Sequence, residues 1–272
     1  MVAGAVATYY SNTLTGRVAV VTGGGEGIGR AAAQVLAQAG ADVGVLGRSE
    51  DELREACRDI ERNGGRAFTL VADISDEDAM RAAYATVEKR CGRLDIVFAN
   101  AGVNGVWAGI EHLKIDEWDQ TLRINLRGTF LTVKLAVPLM KKTGGSIIVT
   151  SSVNGTRMFS NTGASAYATS KAGQVAFARM CALELAESRI RINTICPGAI
   201  TTNIDENTEQ RDDSNELRLP VKFPEGQIPL TQGKPGTAEQ VGQLVWFLAS
   251  DASSHITGTE VFIDGGQSLF QG

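Results

Sequence analysis

Cysteine and histidine are scarce in this chain of 272 residues, which has four of the former and two of the latter. No two cysteines form a C-x-x-C pair, and so few histidines make a zinc site unexpected. The cysteines also lack the regular spacing of a disulfide framework; they are Cys57, Cys91, Cys181 and Cys196. We therefore expect no bound metal, free thiols and a cytoplasmic, reducing location.

The chain also has neither a surplus of basic charge nor a long apolar run. The formal net charge is −5 at pH 7, whereas proteins that bind nucleic acid or anionic membranes present a basic face. No segment approaches the roughly 20 apolar residues that span a bilayer. The N-terminal stretch MVAGAVATYYSN has no basic region of the kind that opens a signal peptide. The sequence therefore predicts neither nucleic acid nor a membrane as partner.

The chain does contain a regular alternation of short β-branched runs and longer helical stretches. It opens with a predicted strand at Val18–Thr22 and an Ala-rich helix at Gly27–Ala39. This order predicts an α/β fold with a single doubly wound parallel β-sheet flanked by helices, a Rossmann-like arrangement. Because neither a repeat nor a linker is evident, we expect a flexible N-terminal arm over residues 1–15 and one dinucleotide-binding catalytic domain over 16–272.

The same patterns give the remaining elements and one long loop. The other predicted strands are Asp42–Leu46, Ala67–Ala72, Leu94–Ala99, Ser146–Ser151, Ile190–Ile195 and Thr259–Ile263. The other predicted helices are Asp51–Asn63, Asp76–Cys91, Ile115–Lys141, Ser165–Glu187 and Ala238–Ala249. The segment Asn203–Pro235 is polar, acid-rich and contains four prolines. A loop of this length in a compact domain is typically a lid or a binding segment, here for the substrate.

A glycine-rich turn joins the first strand to the first helix. Residues 22–29 read TGGGEGIG, with glycines at Gly23, Gly27 and Gly29. Residues without a Cβ allow a pyrophosphate to approach the backbone N–H groups at a helix N-terminus. The position between a strand and a helix favours a dinucleotide site over an ordinary glycine turn.

The end of the second strand bears on the type of cofactor. An acidic residue there would bind the ribose diol of NAD, but the sequence is Gly47-Arg48-Ser49. The planar cation of Arg48 suits a 2′-phosphate. Glu26 is expected near the same ribose and would repel a phosphate, unless it pairs with Arg48. We expect NADP(H) to be preferred, with NAD(H) as the alternative.

The spacing of Tyr167 and Lys171 places both side chains on one helix face, one turn apart. A free phenol has a pKa near 10. An ammonium about 4 Å away would stabilise the phenolate by roughly 4 kcal/mol at an effective dielectric of about 20. Tyr167 could thus deliver a proton to a developing alkoxide. Ser152 could bond the carbonyl oxygen, and Asn125, in mid-helix, could kink the backbone and hold a water.

The order of these motifs resembles that of the short-chain dehydrogenase/reductase family. The resemblance rests on TGGGEGIG, Asn100-Ala101-Gly102, Asn125, Ser152, Tyr167-x-x-x-Lys171 and Pro197-Gly198, and it runs from about Leu14 to Gly266. It implies an NAD(P)-dependent oxidoreductase that interconverts a secondary alcohol and a ketone. It also implies a small-molecule substrate and a homo-oligomer, commonly a tetramer.

The resemblance also implies roles for individual residues. Asn125, Ser152, Tyr167 and Lys171 would form a catalytic tetrad. The cofactor would lie against Gly23, Glu26, Gly27, Ile28, Gly29, Arg48, Ser49, Asp73, Ile74, Asn100, Ala101, Gly102, Tyr167, Lys171, Pro197, Gly198, Ile200 and Thr202.

One feature departs from the family pattern. Ser152 and Tyr167 are fifteen residues apart, two more than in most relatives, and the extra residues fall in Thr156–Thr162 beside the substrate. Ser151 or Asn154 could take the role of the serine, but Ser152 alone combines a hydroxyl with the strand-end position. The expected substrate residues are Ser152, Asn154, Phe159 and Trp107, and Met158 and His112 are further candidates.

Two other functions are compatible with the sequence. One is a strictly NAD-linked dehydrogenase of alcohols, polyols or sugars, which Glu26 favours and Arg48 disfavours. The other is a cofactor-binding sensor without turnover, which would not need the proton donor Tyr167. Sugars, polyols, cyclic ketones and β-ketoacyl compounds all remain open as substrates.

Overall fold

The central sheet has seven strands, all parallel. The computed structural model describes residues 13–159, 161–202, 208–211 and 228–271. The strands are β1 (Val18–Thr22), β2 (Asp42–Gly47), β3 (Arg66–Val71), β4 (Ile96–Ala99), β5 (Gly145–Thr150), β6 (Ile190–Pro197) and β7 (Glu260–Ile263). Their spatial order is β7-β6-β5-β4-β1-β2-β3, and each neighbouring pair is parallel. The predicted doubly wound parallel sheet is therefore confirmed.

Helices cover both faces of this sheet. They are α1 (Gly27–Gln38), α2 (Glu50–Arg62), α3 (Glu77–Cys91), α4 (Ile115–Leu122), α5 (Gly128–Met140), α6 (Ser165–Ala186), α7 (Ala238–Ala249) and α8 (Gln267–Gln271). One core packs α1, α2 and α7 on the sheet through residues such as Leu36, Leu53 and Val245. The second core packs α3, α5 and α6 on the other face. Because both faces are covered, the central strands β1, β4 and β5 are buried along almost their whole length.

The long helix predicted over Ile115–Lys141 is interrupted. A π-helical turn at Arg123–Arg127 separates α4 from α5 and contains Asn125. Such turns insert an extra residue into the helical repeat and are frequent at functional sites. The kink expected at Asn125 is thus present as a π-turn. Its side-chain contacts are described with the site below.

Several short strands were not predicted from the sequence. Gly105–Trp107 pairs in parallel with Thr208–Gln210, and Ile200–Thr201 pairs with Gly236–Thr237. The first of these pairs ties part of the predicted substrate loop to the segment after β4. Arg211 adds an ion pair to Glu117 on α4. Of the loop predicted at 203–235, residues 203–207 and 212–227 lie outside the described part of the chain.

The N-terminal boundary of the folded domain also differs from the prediction. Residues 1–12 of the predicted arm lie outside the described residues. Leu14, which was assigned to the arm, is fully buried and its N–H donates to the carbonyl of Ala39 at 2.8 Å. The Trp246 indole donates to the hydroxyl of Thr13 at 2.9 Å. The packed part of the chain therefore starts before residue 16. Within the described ranges, no helix is long and apolar enough to cross a bilayer.

Candidate active site

The carboxyl ends of β1, β4 and β5 meet at one edge of the sheet and are tied together by hydroxyl and amide groups. The Thr22 hydroxyl accepts hydrogen bonds from the N–H groups of Asn100 (2.9 Å) and Ala101 (3.0 Å). The Asn100 side chain in turn accepts from the Thr150 hydroxyl at 3.1 Å. Because the strand order reverses between β1 and β4, this edge is the switch point at which doubly wound sheets bind ligands.

The glycine turn lies directly at this edge, and either a positive φ or a close contact favours glycine at Gly23, Gly27 and Gly29. Gly23 and Gly27 have φ values of +63° and +51°, in the left-handed region that favours glycine. A Cβ on Gly29 would collide with the Gly23 carbonyl, and one on Gly27 would lie 3.6 Å from Thr202. Ile28 packs on the core beneath the turn. The backbone of the turn thus comes to the start of α1, where a helix N-terminus would face the pyrophosphate that the sequence predicts.

The residues expected at the adenosine end lie at the ends of β2 and β3. Arg48 and Glu26 are both exposed, and no ion pair joins them within the described residues. The suggested pairing of these two side chains is therefore absent. Burial raises the pKa of Asp73, but hydrogen bonds from Ser75 and the charge of Arg48 outweigh it and hold that pKa below its ordinary value. Arg48 and Asp73 thus share one corner of the cleft.

Two other residues expected near the adenosine have different surroundings. Ser49 is the N-cap residue of α2, whose first turn carries three acidic side chains. Ile74, expected beside the adenine, has a buried side chain that packs close to Gly128 of α5. The side chain of Ile74 therefore belongs to the core.

The segment after β6 forms the opposite wall of the cleft. A Cβ on Gly198 would clash with Gln267 and Asp264, and the Ala199 N–H donates to the Gln267 side chain at 2.8 Å. Ile200 pairs with Gly236, and Thr202 approaches Gly27 of the glycine turn. The chain from Pro197 to Thr202 thus runs from the end of the sheet back to the glycine turn.

Tyr167 and Ser152 meet in the buried part of the site. Tyr167 is 8% exposed, and its phenol lies close enough to the Ser152 side chain for that hydroxyl to lower the pKa of Tyr167. The Ser152 hydroxyl also accepts from the N–H of Asn154 at 3.1 Å. The neighbouring Ser151 instead donates to the main-chain carbonyl of Lys171 at 2.9 Å. Of the two adjacent serines, Ser152 is therefore the one beside the phenol.

Lys171 is buried one turn further along α6. Its side chain is 4% exposed, and Nζ donates to the Thr150 carbonyl at 2.9 Å. Nζ lies 5.5 Å from the centre of the Tyr167 ring. Burial lowers the pKa of Lys171 to about 8, because desolvation disfavours the charged ammonium.

The pKa of Tyr167 differs from the expectation. Burial raises the pKa of Tyr167 above its ordinary value, and the nearby Ser152 hydroxyl offsets only part of this effect. Lys171 is expected to lower the pKa of Tyr167, but it has no such effect here. The ammonium of Lys171 is directed at the Thr150 carbonyl instead. Cys196, a fully buried thiol at the end of β6, lies close enough to both side chains to affect their pKa values.

The Asn125 side chain is committed to the protein. Its oxygen accepts from the Val103 N–H at 2.8 Å, and its Nδ2 donates to the Val103 carbonyl at 2.9 Å and to the Ser170 hydroxyl at 3.0 Å. Asn125 thereby fixes the segment after Asn100-Ala101-Gly102 against α6. A Cβ on Gly102 would lie 3.0 Å from the Asn125 oxygen and 3.5 Å from Nζ of Lys171. Both groups therefore approach Gly102.

The expected substrate residues are found in two places. Asn154 and Phe159 line a cavity of about 170 Å³ together with Met158, Asn161, Gly163, Ala164, Ser165 and Ala168. Phe159 is 74% exposed, whereas Met158 is buried. Trp107 lies on the separate short strand that pairs with Thr208–Gln210, and its indole donates to the Asn104 carbonyl at 3.3 Å. His112 has an exposed side chain.

Some residues of the site were missed in the sequence, chiefly Thr22, Thr150 and Ser170. Thr22 and Thr150 carry a hydroxyl at the last position of a strand, and this position could have identified them from the sequence.

All four cysteines are free thiols. Within the described residues, no group of three His, Cys, Asp or Glu side chains could hold a metal ion.

Comparisons with known proteins match this arrangement along most of the chain. The family model described as enoyl-(acyl carrier protein) reductase matches residues 23–268. A 3-ketoacyl-ACP reductase from Sinorhizobium meliloti 1021 superposes with a TM-score of 0.89 at 52% sequence identity, over 93% of this chain and 99% of that chain.

Two curated relatives have different names from that structure. Levodione reductase from Leifsonia aquatica is 39% identical over 259 residues, which cover 93% of this chain and 95% of the relative. Trans-4-hydroxycyclohexanecarboxylate dehydrogenase from Sinomonas cyclohexanicum is 36% identical over 264 residues, 95% of each chain. The matches run through the glycine turn and the Tyr-Lys helix alike. The chain therefore belongs to the short-chain dehydrogenase/reductase family and is an oxidoreductase that acts on CH–OH groups.

Proposed function

We propose that the protein is an NADP(H)-preferring oxidoreductase that interconverts a secondary alcohol and a ketone, with Tyr167 as general acid and base. The observation that carries this proposal is the buried phenol of Tyr167, which lies beside the Ser152 hydroxyl at the edge of the sheet that carries the glycine turn. A proton donor and a second hydroxyl side by side suit a carbonyl oxygen that becomes an alkoxide.

In the direction of reduction, the Ser152 hydroxyl donates a hydrogen bond to the substrate carbonyl and holds it near Tyr167. The phenol then gives its proton to the oxygen as negative charge develops there. The raised pKa of Tyr167 keeps the phenol protonated at neutral pH, which suits it as the acid. When bound, the nicotinamide supplies or accepts the hydride.

The residues at the sheet edge fit a dinucleotide. The glycine turn would hold the pyrophosphate, and Asn100–Gly102 would line the cleft. An ammonium has three N–H donors, and among the described residues that of Lys171 uses one, on Thr150. The other donors would bind the ribose hydroxyls of the nicotinamide half, close to Tyr167.

The preference for NADP(H) rests on Arg48. Its guanidinium is exposed at the end of β2 and forms no ion pair with a described residue, so it is available to a 2′-phosphate. Glu26 and the acidic first turn of α2 oppose this preference. NAD(H) is the alternative that these carboxylates favour.

The substrate is proposed as a small secondary alcohol or ketone with an apolar body. The cavity of about 170 Å³ beside Asn154 offers mostly apolar walls, formed by Met158, Phe159 and Ala168. Relatives named for levodione, for a hydroxycyclohexanecarboxylate and for 3-ketoacyl-ACP define the first panel of compounds to screen.

We also propose a homotetramer in a reducing compartment. The four free thiols suit such a compartment. Two separate apolar surfaces are exposed: Phe130, Met180 and Leu183 on α5 and α6, and Leu269 and Phe270 on α8. Exposed apolar patches of this kind mark association sites, and two of them allow a dimer of dimers.

Cofactor preference is tested by fluorescence titration with NADPH and NADH at one salt concentration. We expect NADPH to bind at least about tenfold tighter, a difference of about 1.4 kcal/mol. Arg48→Gln should remove most of this difference, and Glu26→Gln should increase it. Tighter binding of NADH by the unchanged protein would contradict the NADP(H) proposal and favour an NAD-linked dehydrogenase.

Removing the phenol hydroxyl separates catalysis from cofactor binding. Tyr167→Phe should lower turnover by about 10²- to 10⁴-fold, the usual contribution of a general acid, with the NADPH dissociation constant nearly unchanged. Ser151→Ala, which alters the neighbouring serine, should retain far more activity than Ser152→Ala. If Tyr167→Phe kept full turnover, the assignment of the proton donor would be wrong.

Lys171 should reduce the stability of the protein at neutral pH. With a pKa of about 8 when folded against 10.5 ordinarily, its buried charge costs roughly 3 kcal/mol below pH 8. The unfolded chain binds more protons between those two values, so stability rises as pH increases through them. Lys171→Met should therefore unfold at higher urea concentration than the wild type at pH 7, although it lacks activity. The difference in urea midpoint between the variant and the wild type should narrow by pH 10. A difference that does not depend on pH would contradict this account.

Size-exclusion chromatography with light scattering tests the assembly. We expect four chains per particle and a smaller particle for Leu183→Glu, because a charge would be buried in the interface. Ile110→Glu is the control, since Ile110 is equally exposed but lies on neither apolar surface. A monomeric wild type would refute the tetramer.

A further inference from the structure

We propose that Gln174 is a positioning residue for the reaction, which acts through the main chain of Asn125. This inference rests on the roles proposed above for Tyr167 and Lys171. Gln174 lies on α6 one turn beyond Lys171, and its side chain is fully buried. It shares the buried helix face of Tyr167, Ser170 and Lys171.

The contacts of Gln174 are directed at the π-turn. Its Nε2 donates to the Asn125 carbonyl at 2.9 Å and to the Thr129 hydroxyl at 2.7 Å. The Thr129 hydroxyl itself donates to the same Asn125 carbonyl at 2.7 Å. A carbonyl oxygen has two lone pairs, so the two side chains together satisfy it.

The π-turn explains why such donors are needed. An extra residue in the helical repeat disturbs the regular ladder of main-chain hydrogen bonds. A buried carbonyl that lacks a donor is costly, and the turn would relax toward a different register. Gln174 and Thr129 therefore fix the conformation in which the Asn125 side chain can reach Val103.

Asn125 is thus held by α6 at two points. Ser170 accepts from its side-chain amide, and Gln174 donates to its main-chain carbonyl. Tyr167, Ser170, Lys171 and Gln174 follow the i, i+3, i+4, i+7 spacing of one helix face. The helix that carries the proton donor and the ammonium is therefore locked in register with the turn that holds Val103 and, next to it, Gly102.

A purely structural role would not select glutamine here. Methionine has similar length and volume, and it would fill the space without a polar atom to bury. The Oε1 atom of Gln174 is buried and, among the described residues, has no hydrogen-bond partner. Such an unsatisfied acceptor reduces stability. The residue is better explained by the donor that it provides to Asn125.

The test compares Gln174→Met with Gln174→Glu across a range of pH. Gln174→Met keeps the volume and removes the donor; kcat should fall by about 10- to 100-fold, as expected for a small displacement of reacting groups. KM and the NADPH dissociation constant should stay within about twofold, since the contacts with either ligand are untouched.

Gln174→Glu keeps the shape, and its carboxyl can donate to the Asn125 carbonyl only when protonated. Burial favours that protonated form. The activity of Gln174→Glu should therefore be close to that of the wild type at low pH and should fall as the carboxylate forms at higher pH. Its curve of activity against pH would then show a decline that the wild-type curve lacks. Because this variant is isosteric, it remains a test even if Gln174→Met fails to fold.

Asn193→Leu is the matched control. Asn193 is also a fully buried amide, and its Nδ2 donates to the Ile256 carbonyl at 2.9 Å, away from the site. It should lower the unfolding temperature without changing the pH profile. If Gln174→Met matched the wild type in kcat, or if Gln174→Glu kept the wild-type pH profile, the inference would be overturned. A wild type without turnover would instead refute the proposed function.

Discussion

The hydrogen bond from Lys171 to the Thr150 carbonyl is the interaction around which the site is organised. A buried ammonium is unfavourable unless a fixed acceptor meets it, and this acceptor lies at the last residue of a central strand. Thr150 pairs with Ile195 of β6 on one side, and on the other side its hydroxyl donates to the Asn100 side chain after β4. The ammonium of Lys171 is thus held at the carboxyl edge of the sheet, beside Tyr167 and near the ends of β1 and β4.

The remaining parts of the site place other groups relative to that charge. Thr22 links the glycine turn to Asn100, and Thr150 itself bonds the Asn100 side chain. Asn125 sets the segment after Gly102, and Ser151 binds the main chain of α6 at Lys171. Apart from the bond between the Thr150 and Asn100 side chains, each link uses a main-chain group on one side. The geometry of the site is therefore as rigid as the sheet and depends little on side-chain rotamers.

Much of this could be predicted from the sequence because it follows from local patterns. β-Branched runs and amphipathic spacing gave the seven strands of the sheet and its flanking helices. The glycine turn, Ser152 and the Tyr167–Lys171 spacing are local as well, and the structure brings them to one edge. Side-chain directions are not contained in the sequence, so it could not show that Ile74 is buried or that Glu26 and Arg48, one pairing it left open, form no ion pair.

The features that escaped prediction arise from contacts between distant segments. The π-turn at Asn125 is held by partners from two distant segments, Val103 after β4 and Ser170 and Gln174 on α6. The short strand at Gly105–Trp107 exists because Thr208–Gln210 pairs with it. The raised pKa of Tyr167 follows from its burial rather than from its spacing to Lys171.

Helix α6 shows how one element can combine these constraints. One face carries Tyr167, Ser170, Lys171 and Gln174, all buried and all polar, while Met180 and Leu183 are exposed near its C-terminal end. An amphipathic surface helix normally has the reverse pattern, with apolar residues inside. The helix therefore gains little from burying its N-terminal half, and its position depends on specific hydrogen bonds to β5 and the π-turn. Such an arrangement gives up stability, but it leaves the proton donor only one orientation relative to the sheet edge.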